Sequence, residues 1–428
     1  MPLSLSPMPT FDNLKTADPK VYATLEGEMQ RQVEGMELIA SENYISPAVM
    51  EAMGNCFNNK YSEGYPGKRY YGGQEFTDQV ETLAIERAKE LFNAGHANVQ
   101  PHAGAPANVA MYFALLEPGD TVMGMDLSHG GHLTHGHPVT YLTKIFKFVR
   151  YKMQDIDTGE IDYEEMRRIA LVEKPKILLA GFSAYPRELD YAKMKAIADE
   201  VGAVTVADMA HIAGLIAGKA LRNPFDDGFD VITTTTHKTL RGPRGGMILT
   251  RTPEMGKKMD KMVFPGFQGG PIMQMIAAKA VAFGEALKPE FREYAQQIIK
   301  NSQALAVYFM NHGAKLITNG TDNHLMLIDC IQSWHATGHE VESVLDRVGI
   351  TLNKNMIADD ARSPMDPSGI RLGTPAVTTR GMKETDMETL GGYMLQAIEK
   401  RTDETALAAL HEEVKAFCKR FPVPGINV

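Results

Sequence analysis

The apolar and polar positions of the chain fall into successive textures. Between Glu75 and about Arg251, segments with helical spacing around 75–93, 106–117, 162–172 and 190–201 alternate with short apolar runs at 121–125, 176–181, 203–207 and 230–236. Asp190 is suited to cap the last of these helices and Gly202 to stop it. Such alternation predicts an α/β layer, a mainly parallel sheet with helices on both faces. Upstream, Asp18 and Pro19 read as an N-cap with proline at the first helical position, and predict a helix running toward Glu34. After a helical segment at 274–287 the texture changes to a long helix near 289–312, strand-like runs at 314–319 and 324–330, and helices near 383–400 and 402–420. These predict a smaller α+β domain. The expected division is an arm and helix over 1–35, a large domain over 36–288 and a small domain over 289–428.

In an open α/β sheet, ligands collect at the carboxyl ends of the strands. Three polar residues follow apolar runs in this way: Ser183 after Ile177–Phe182, Asp208 after Ala203–Ala207, and Lys238 after the run Val231–His237. The last run turns at once through Arg241-Gly242-Pro243-Arg244-Gly245-Gly246, into which no buried strand could continue. Two roles fit Lys238 here. An amine partly desolvated at a strand end has a lowered pKa and can form a Schiff base with a carbonyl, whereas many lysines simply cap exposed turns.

Composition narrows the chemistry. At 428 residues, 44% of them apolar, the chain exceeds what one core serves and has a large interior to bury. A net charge of -9 and a pI near 5.8 argue against a nucleic-acid or polybasic membrane surface, which leaves small-molecule chemistry. Cys56, Cys330 and Cys418 lie far apart without CxxC spacing, so neither a disulfide framework nor a zinc ribbon is suggested. The opening Met-Pro-Leu-Ser-Leu-Ser-Pro lacks the basic flank and apolar run of a secretory signal. No segment approaches the roughly 20 apolar residues of a membrane span. The expected compartment is the cytoplasm, with neither membrane nor nucleic acid as a partner.

An unpaired carboxylate at the end of an apolar strand is costly, so Asp208 needs a cationic partner. A pyridoxal phosphate ring supplies one, because Asp against the pyridine nitrogen keeps it protonated and preserves the ring as an electron sink. An Asp that caps the next helix is the competing role. A phosphate needs backbone donors at a helix N-terminus, and Gln100-Pro101-His102-Ala103-Gly104-Ala105-Pro106-Ala107-Asn108 offers a loop leading into a helix. Gly266-Phe267-Gln268-Gly269-Gly270-Pro271 is a second small-residue loop able to approach the same anion. The histidine-rich segment His129–His137, with Asp126 before it, could hold a metal. Its glycines give no sign of rigid ligands with a supporting shell, so one ring stacked on a planar cofactor is the favoured reading, without a metal. Arg371 suits bidentate recognition of an amino-acid carboxylate, or an ordinary ion pair. The stretch Lys60–Gly73 holds Tyr61, Tyr65, Tyr70 and Tyr71 among glycines and charges, and reads as a binding loop or subunit contact.

Taken together, Glu37–Tyr44 (ELIASENY), the tyrosine-rich stretch, His129–Gly136, Asp208–His211, the TTTTHKT run at 233–239 and Gly369–Pro375 resemble the serine hydroxymethyltransferase family. The resemblance spans about Leu38 to Pro422, and TTTTHKT is its most specific marker. It implies fold type I of the pyridoxal-phosphate enzymes: a large domain with a mainly parallel seven-stranded sheet and a smaller α+β C-terminal domain. By the resemblance, Lys238 holds the cofactor as a Schiff base, Asp208 pairs with its ring nitrogen, His132 stacks on the ring, and Ser183 and His211 lie near its phenolic oxygen. Gly104 and Ala105, with Tyr61, Gly269 and Gly270, would surround the phosphate. Arg371 and Ser41 would bind the substrate carboxylate. Glu63 and Tyr71 would handle protons near the serine hydroxyl, with His237 beside Lys238, and Glu63, Tyr70, Leu127, Gly131 and Asn355 would meet the folate. The implied reaction interconverts serine and tetrahydrofolate with glycine and 5,10-methylenetetrahydrofolate. The implied assembly is a homodimer that shares its active sites, or a tetramer.

The chain departs from the family pattern at Ala103 and Ala105, where hydroxyl residues are usual, and at Gln274, where histidine is common. Loss of an Oγ donor to a phosphate costs about 1.5–3 kcal/mol where nothing replaces it, so weaker cofactor retention is expected. The competing activities are a folate-independent threonine or α-methylserine aldolase, a metal-dependent hydrolase on the histidine segment, and a non-catalytic binding protein.

Overall fold

The computed structural model describes residues 11–426. Packing divides the chain into two compact units, one of residues 48–296 and one that joins the residues up to Pro47 to those from Gln297 onward.

The larger unit is built on a seven-stranded sheet. In chain order its strands are β1 (His96–Asn98), β2 (Thr121–Met125), β3 (Lys147–Tyr151), β4 (Ile177–Gly181), β5 (Val204–Asp208), β6 (Val231–Thr235) and β7 (Gly246–Thr250). Their spatial order is β1-β7-β6-β5-β4-β2-β3, parallel from β6 to β3, with β7 antiparallel to both neighbours. Every residue of β4, β6 and β7 is buried, as expected of strands covered on both faces. The principal helices are α1 (Glu75–Phe92), α2 (Gly104–Leu115), α3 (Tyr163–Glu173), α4 (Tyr191–Val201) and α5 (Met273–Ala286). Asp190 caps α4 by accepting from the Lys193 N–H at 3.0 Å, and Gly202 ends it at φ 70°, as the sequence predicts. Ala107, Met111 and Tyr112 of α2 pack on Val122, Ile177, Val206, Val231 and Ile248, one residue from each of five strands. That core holds the helix N-terminus at a fixed height above the sheet.

The smaller unit holds a four-stranded antiparallel sheet of β8 (Lys315–Leu316), β9 (Leu325–Asp329), β10 (Asn353–Asn355) and β11 (Gly369–Gly373), in the order β8-β9-β11-β10. Helix α6 (Pro289–Asn311) crosses the boundary between the units, and α7 (Gly338–Arg347), α8 (Glu384–Glu399) and α9 (Glu404–Cys418) follow. The leading helix, Pro19–Glu34, is capped as predicted, with Asp18 accepting from the N–H groups of Lys20 and Val21, each at 3.1 Å. Met36–Glu37 pairs in parallel with Ile350–Thr351, which gathers residues up to Pro47 into this unit. Arg380, 4% exposed, donates to the carbonyls of Val33, Gly35, Cys418 and Phe421 and ties the leading helix to the end of α9.

One expectation needs correction. The strand-like run 314–319 is a strand for two residues only, because Thr318 and Asn319 take left-handed φ values of 69° and 47° that no strand accommodates. The tyrosine stretch, read as a binding loop or subunit contact, has a fixed core. Gly64–Tyr65 pairs with Lys68–Arg69 in a short hairpin, and Arg69 (3% side-chain exposure) fixes it by donating to the Ser62 and Gly64 carbonyls and to Asp78 and Glu81. Among the described residues, no helix is long and apolar enough to cross a membrane.

Candidate active site

Strand β5 delivers Asp208 to the sheet's carboxyl edge with 8% of its side chain exposed. One carboxylate oxygen accepts from Asn108 Nδ2 at 2.8 Å and faces His135 Nε2 at 3.1 Å, and the other accepts from the Ala210 N–H at 3.1 Å. Burial pushes this carboxyl upward. The hydrogen bond and charge of His135, the charge of His132 and the Asn108 amide outweigh burial and hold Asp208 well below the usual carboxylate range. Asp208 is therefore an anion at any working pH.

Asn108 organises this corner. Its amide also donates to Thr134 Oγ1 (2.9 Å), its oxygen accepts from Thr233 Oγ1 (2.6 Å), and the Thr134 hydroxyl lies 2.7 Å from His132 Nδ1. In the sequence Asn108 stands out only as the end of a loop and His135 only as one of several histidines. The available signal for Asn108 was its place four residues beyond Gly104, on the same helix face. The pairing of His135 with Asp208 spans 73 positions and had no local signal.

The turn after β6 is laced to the segment after β5. Thr239 Oγ1 donates to the His211 carbonyl (2.8 Å) and accepts from the Gly214 N–H (2.9 Å), and Thr235 Oγ1 donates to the Ala210 carbonyl (3.2 Å). Lys238 is buried, 9% exposed, and its carbonyl accepts from the Arg241 N–H at 3.0 Å. Arg241 takes a left-handed φ of 58° and lies over the rings of Tyr294 (4.4 Å) and Phe291 (5.5 Å), which holds the turn in place. His237 is pulled down to about 3, first by burial and then by the charges of Lys238 and Arg244, so its ring is neutral near pH 7.

Helix α2 begins at Gly104, capped by Ala103, whose side chain makes no capping hydrogen bond. Its first N–H groups lack intrahelical acceptors, as at any helix start. Gly104 is required by close approach, since a Cβ there would lie 2.7 Å from Thr235 Cγ2. The Gln268 side chain accepts from the His102 N–H (3.0 Å) and donates to the Gln100 carbonyl (3.1 Å), joining this turn to the Gly269-Gly270 loop. The histidine segment is two short turns, Leu127–His129 and Leu133–His135. Between them Gly130 (φ 109°) leaves no room for a Cβ, and its carbonyl accepts from the N–H groups of Ser183 and Ala184 at 2.7 and 3.1 Å. Gly131, which donates to the Asp126 carbonyl at 2.9 Å, completes the rim.

Tyr61 and Tyr71 meet edge to face at 5.6 Å, and Tyr70 meets Phe264 in the same way at 5.6 Å. Both Glu63 and Gly269 belong to this cluster, the Glu63 carboxylate lying 3.4 Å from the position of a Cβ on Gly269. A Cβ on Gly270 would lie 3.2 Å from the Tyr61 ring. The negative charge and hydrogen bonding of Glu63 raise the Tyr71 hydroxyl.

In the smaller unit Arg371 sits on β11, and its Nε donates to Asn353 Oδ1 at 3.1 Å. Burial pulls its guanidinium down to about 10. Gly373 of the same strand donates to the Leu38 carbonyl at 2.8 Å, and a Cβ there would lie 2.8 Å from Ala40 Cα, so the segment carrying Ser41 packs on the end of that strand. Asn355, on β10, pairs with Gly369 of β11.

The donor set suits pyridoxal phosphate: a buried, anionic carboxylate for a protonated ring nitrogen, a buried lysine on the adjoining turn, and a helix start whose cap is an alanine. His132, His135 and Asp208 also have ligand atoms within 4.8 Å of one another, the one group among the described residues able to close on a metal ion. The hydrogen bonds these residues already make to Thr134 and Asn108 serve the ring-nitrogen arrangement equally well. Sheet topology and strand-end chemistry together define a fold-type-I protein of the pyridoxal-phosphate class. Comparison with known proteins narrows this. The sequence model described as serine hydroxymethyltransferase matches residues 14–394. Proteins named serine hydroxymethyltransferase from Crocosphaera subtropica (55% identical, over 98% of this chain and 97% of the relative), Rippkaea orientalis (54%, 96% of each) and Acidobacterium capsulatum (52%, 96% of each) are similar along their whole length. The chain belongs to the serine hydroxymethyltransferase family.

Proposed function

We propose that this protein moves the hydroxymethyl group of serine to tetrahydrofolate, giving glycine and 5,10-methylenetetrahydrofolate, with pyridoxal phosphate as its resident cofactor. The observation that carries the reading is the lacing of the Asp208 segment to the Lys238 turn through Thr235 and Thr239, which fixes an anion and an amine on adjoining strand ends. When bound, the cofactor supplies an electron sink for the pair released as the Cα–Cβ bond of serine breaks.

In this reading Lys238 anchors the cofactor covalently and Asp208, oriented by Asn108 and His135, keeps its ring nitrogen protonated. His132 would cover the ring, Ser183 and His211 would lie near the phenolic oxygen, and His237, neutral near pH 7, would sit beside the lysine without donating a proton. The amides of Gly104 and Ala105 would receive the phosphate, helped by the Tyr61, Gly269 and Gly270 that a second copy of the chain contributes. Arg371 forks onto the substrate carboxylate beside Ser41. Glu63 takes the hydroxyl proton with Tyr71 next to it, and Glu63, Tyr70, Leu127, Gly131 and Asn355 border the folate. We further infer a homodimer in which the tyrosine loop and Gly269-Gly270 complete the neighbouring site, and a cytoplasmic location. Lys238→Ala tests the assignment: purified variant should lose the visible absorbance of covalently held cofactor together with turnover. Retention of both would overturn it.

A further inference from the structure

One buried cation has no part in this mechanism. Lys279, in the middle of α5, is 2% exposed, and its ammonium donates to the carbonyls of Val99 (2.6 Å), Gly246 (2.9 Å) and Pro101 (3.2 Å). Burial pulls this amine down to about 7, while three carbonyl acceptors match the three N–H donors of an ammonium and favour the charged form. Val99 follows β1, Pro101 lies three residues before Gly104, and Gly246 opens β7 and itself donates to the Pro101 carbonyl at 2.9 Å. A single charge thus gathers the two strands at the point where the chain turns into α2.

The consequence follows from peptide planarity. In a trans peptide the C=O and the next N–H point in opposite directions. With the Val99 and Pro101 carbonyls drawn inward, the N–H groups of Gln100 and His102 are turned outward, onto Asn98 Oδ1 (3.0 Å) and Gln268 Oε1 (3.0 Å). Gly245 and Gly246 leave room for this packing. A Cβ on Gly245 would lie 2.5 Å from Lys279 Cε, and one on Gly246 would lie 2.2 Å from the Ala103 carbonyl oxygen. An apolar side chain of equal length would fill the space at lower desolvation cost, so what the cation contributes is the orientation of these carbonyls.

We propose that Lys279 is a positioning residue that sets the Val99–Ala103 backbone and thereby aims the Gly104 and Ala105 amides at the cofactor phosphate. This rests on the reading that those amides receive the phosphate. The test titrates cofactor-free protein with pyridoxal phosphate and, separately, with pyridoxal, which lacks the phosphate but can still react at Lys238. Lys279→Met should weaken pyridoxal phosphate binding roughly tenfold and leave pyridoxal binding unchanged. An equal loss for both ligands would show a merely structural role and overturn the proposal, as would no loss for either. Wild-type protein that binds both ligands equally would instead overturn the phosphate reading itself. If Lys279→Met does not fold, Gly245→Ala crowds the ammonium while retaining it, and the same selective loss is expected. A loss shared by both ligands would count against the proposal there too.

Discussion

Replacing Asn108 with alanine probes the arrangement that the site depends on most. The change removes a hydrogen bond to the Asp208 carboxylate (2.8 Å), one to Thr134 (2.9 Å) and the acceptor for the Thr233 hydroxyl (2.6 Å). The bond to a charged acceptor contributes about 1.5–3 kcal/mol, and a buried hydroxyl left without a partner costs about 1–3 kcal/mol. Thr233 is fully buried and loses its acceptor, whereas Thr134 keeps its contact with His132, so its share is small. The expected destabilisation is about 3–5 kcal/mol, a large part of a typical folding free energy. Urea unfolding of the cofactor-free protein measures it. Thr233→Val serves as the partner in a double-mutant cycle, for which a coupling of about 1 kcal/mol or more is expected. A cost below about 0.5 kcal/mol for Asn108→Ala would refute the claim that Asn108 fixes Asp208, and strict additivity with Thr233→Val would refute its coupling to Thr233.

Ala105→Ser adds a hydroxyl donor at the start of α2 and should tighten pyridoxal phosphate binding about tenfold in a fluorescence titration; an unchanged constant would mean that the alanine costs nothing. Arg371→Lys replaces a planar fork by a point charge, so steady-state kinetics should show the KM for serine rising about a hundredfold, with cofactor binding intact. For His237 the folded value of about 3 lies below the ordinary 6.5, so the unfolded chain binds more protons between these values. The stability this contributes is present above pH 6.5 and is lost as the pH falls toward 3. The urea midpoint of wild type should therefore drop more steeply from pH 7 to about pH 4 than that of His237→Phe, which cannot titrate.

The fold was legible where one pattern lasted for many residues. Alternating helices and apolar runs gave the parallel layer, and Asp190, Gly202 and Asp18 marked helix ends through local chemistry alone. Strands β1 and β7 escaped notice because a three-residue strand and an antiparallel return are defined by their partners. Edge strand β3 shows only an intermediate pattern, with one fully buried residue. At the site, Asp208 and Lys238 stood out because each ends an apolar run. Asn108, His135 and Lys279 did not, since their partners lie between 26 and 180 positions away and only the tertiary fold brings them together.

The central claim is tested most directly by supplying purified, cofactor-loaded protein with serine and measuring glycine and 5,10-methylenetetrahydrofolate, with and without tetrahydrofolate. The account predicts equal amounts of the two products, formed at a sustained rate only when tetrahydrofolate is present and Lys238 is intact. Glycine released from serine at the same rate without folate would contradict it and favour a folate-independent aldolase.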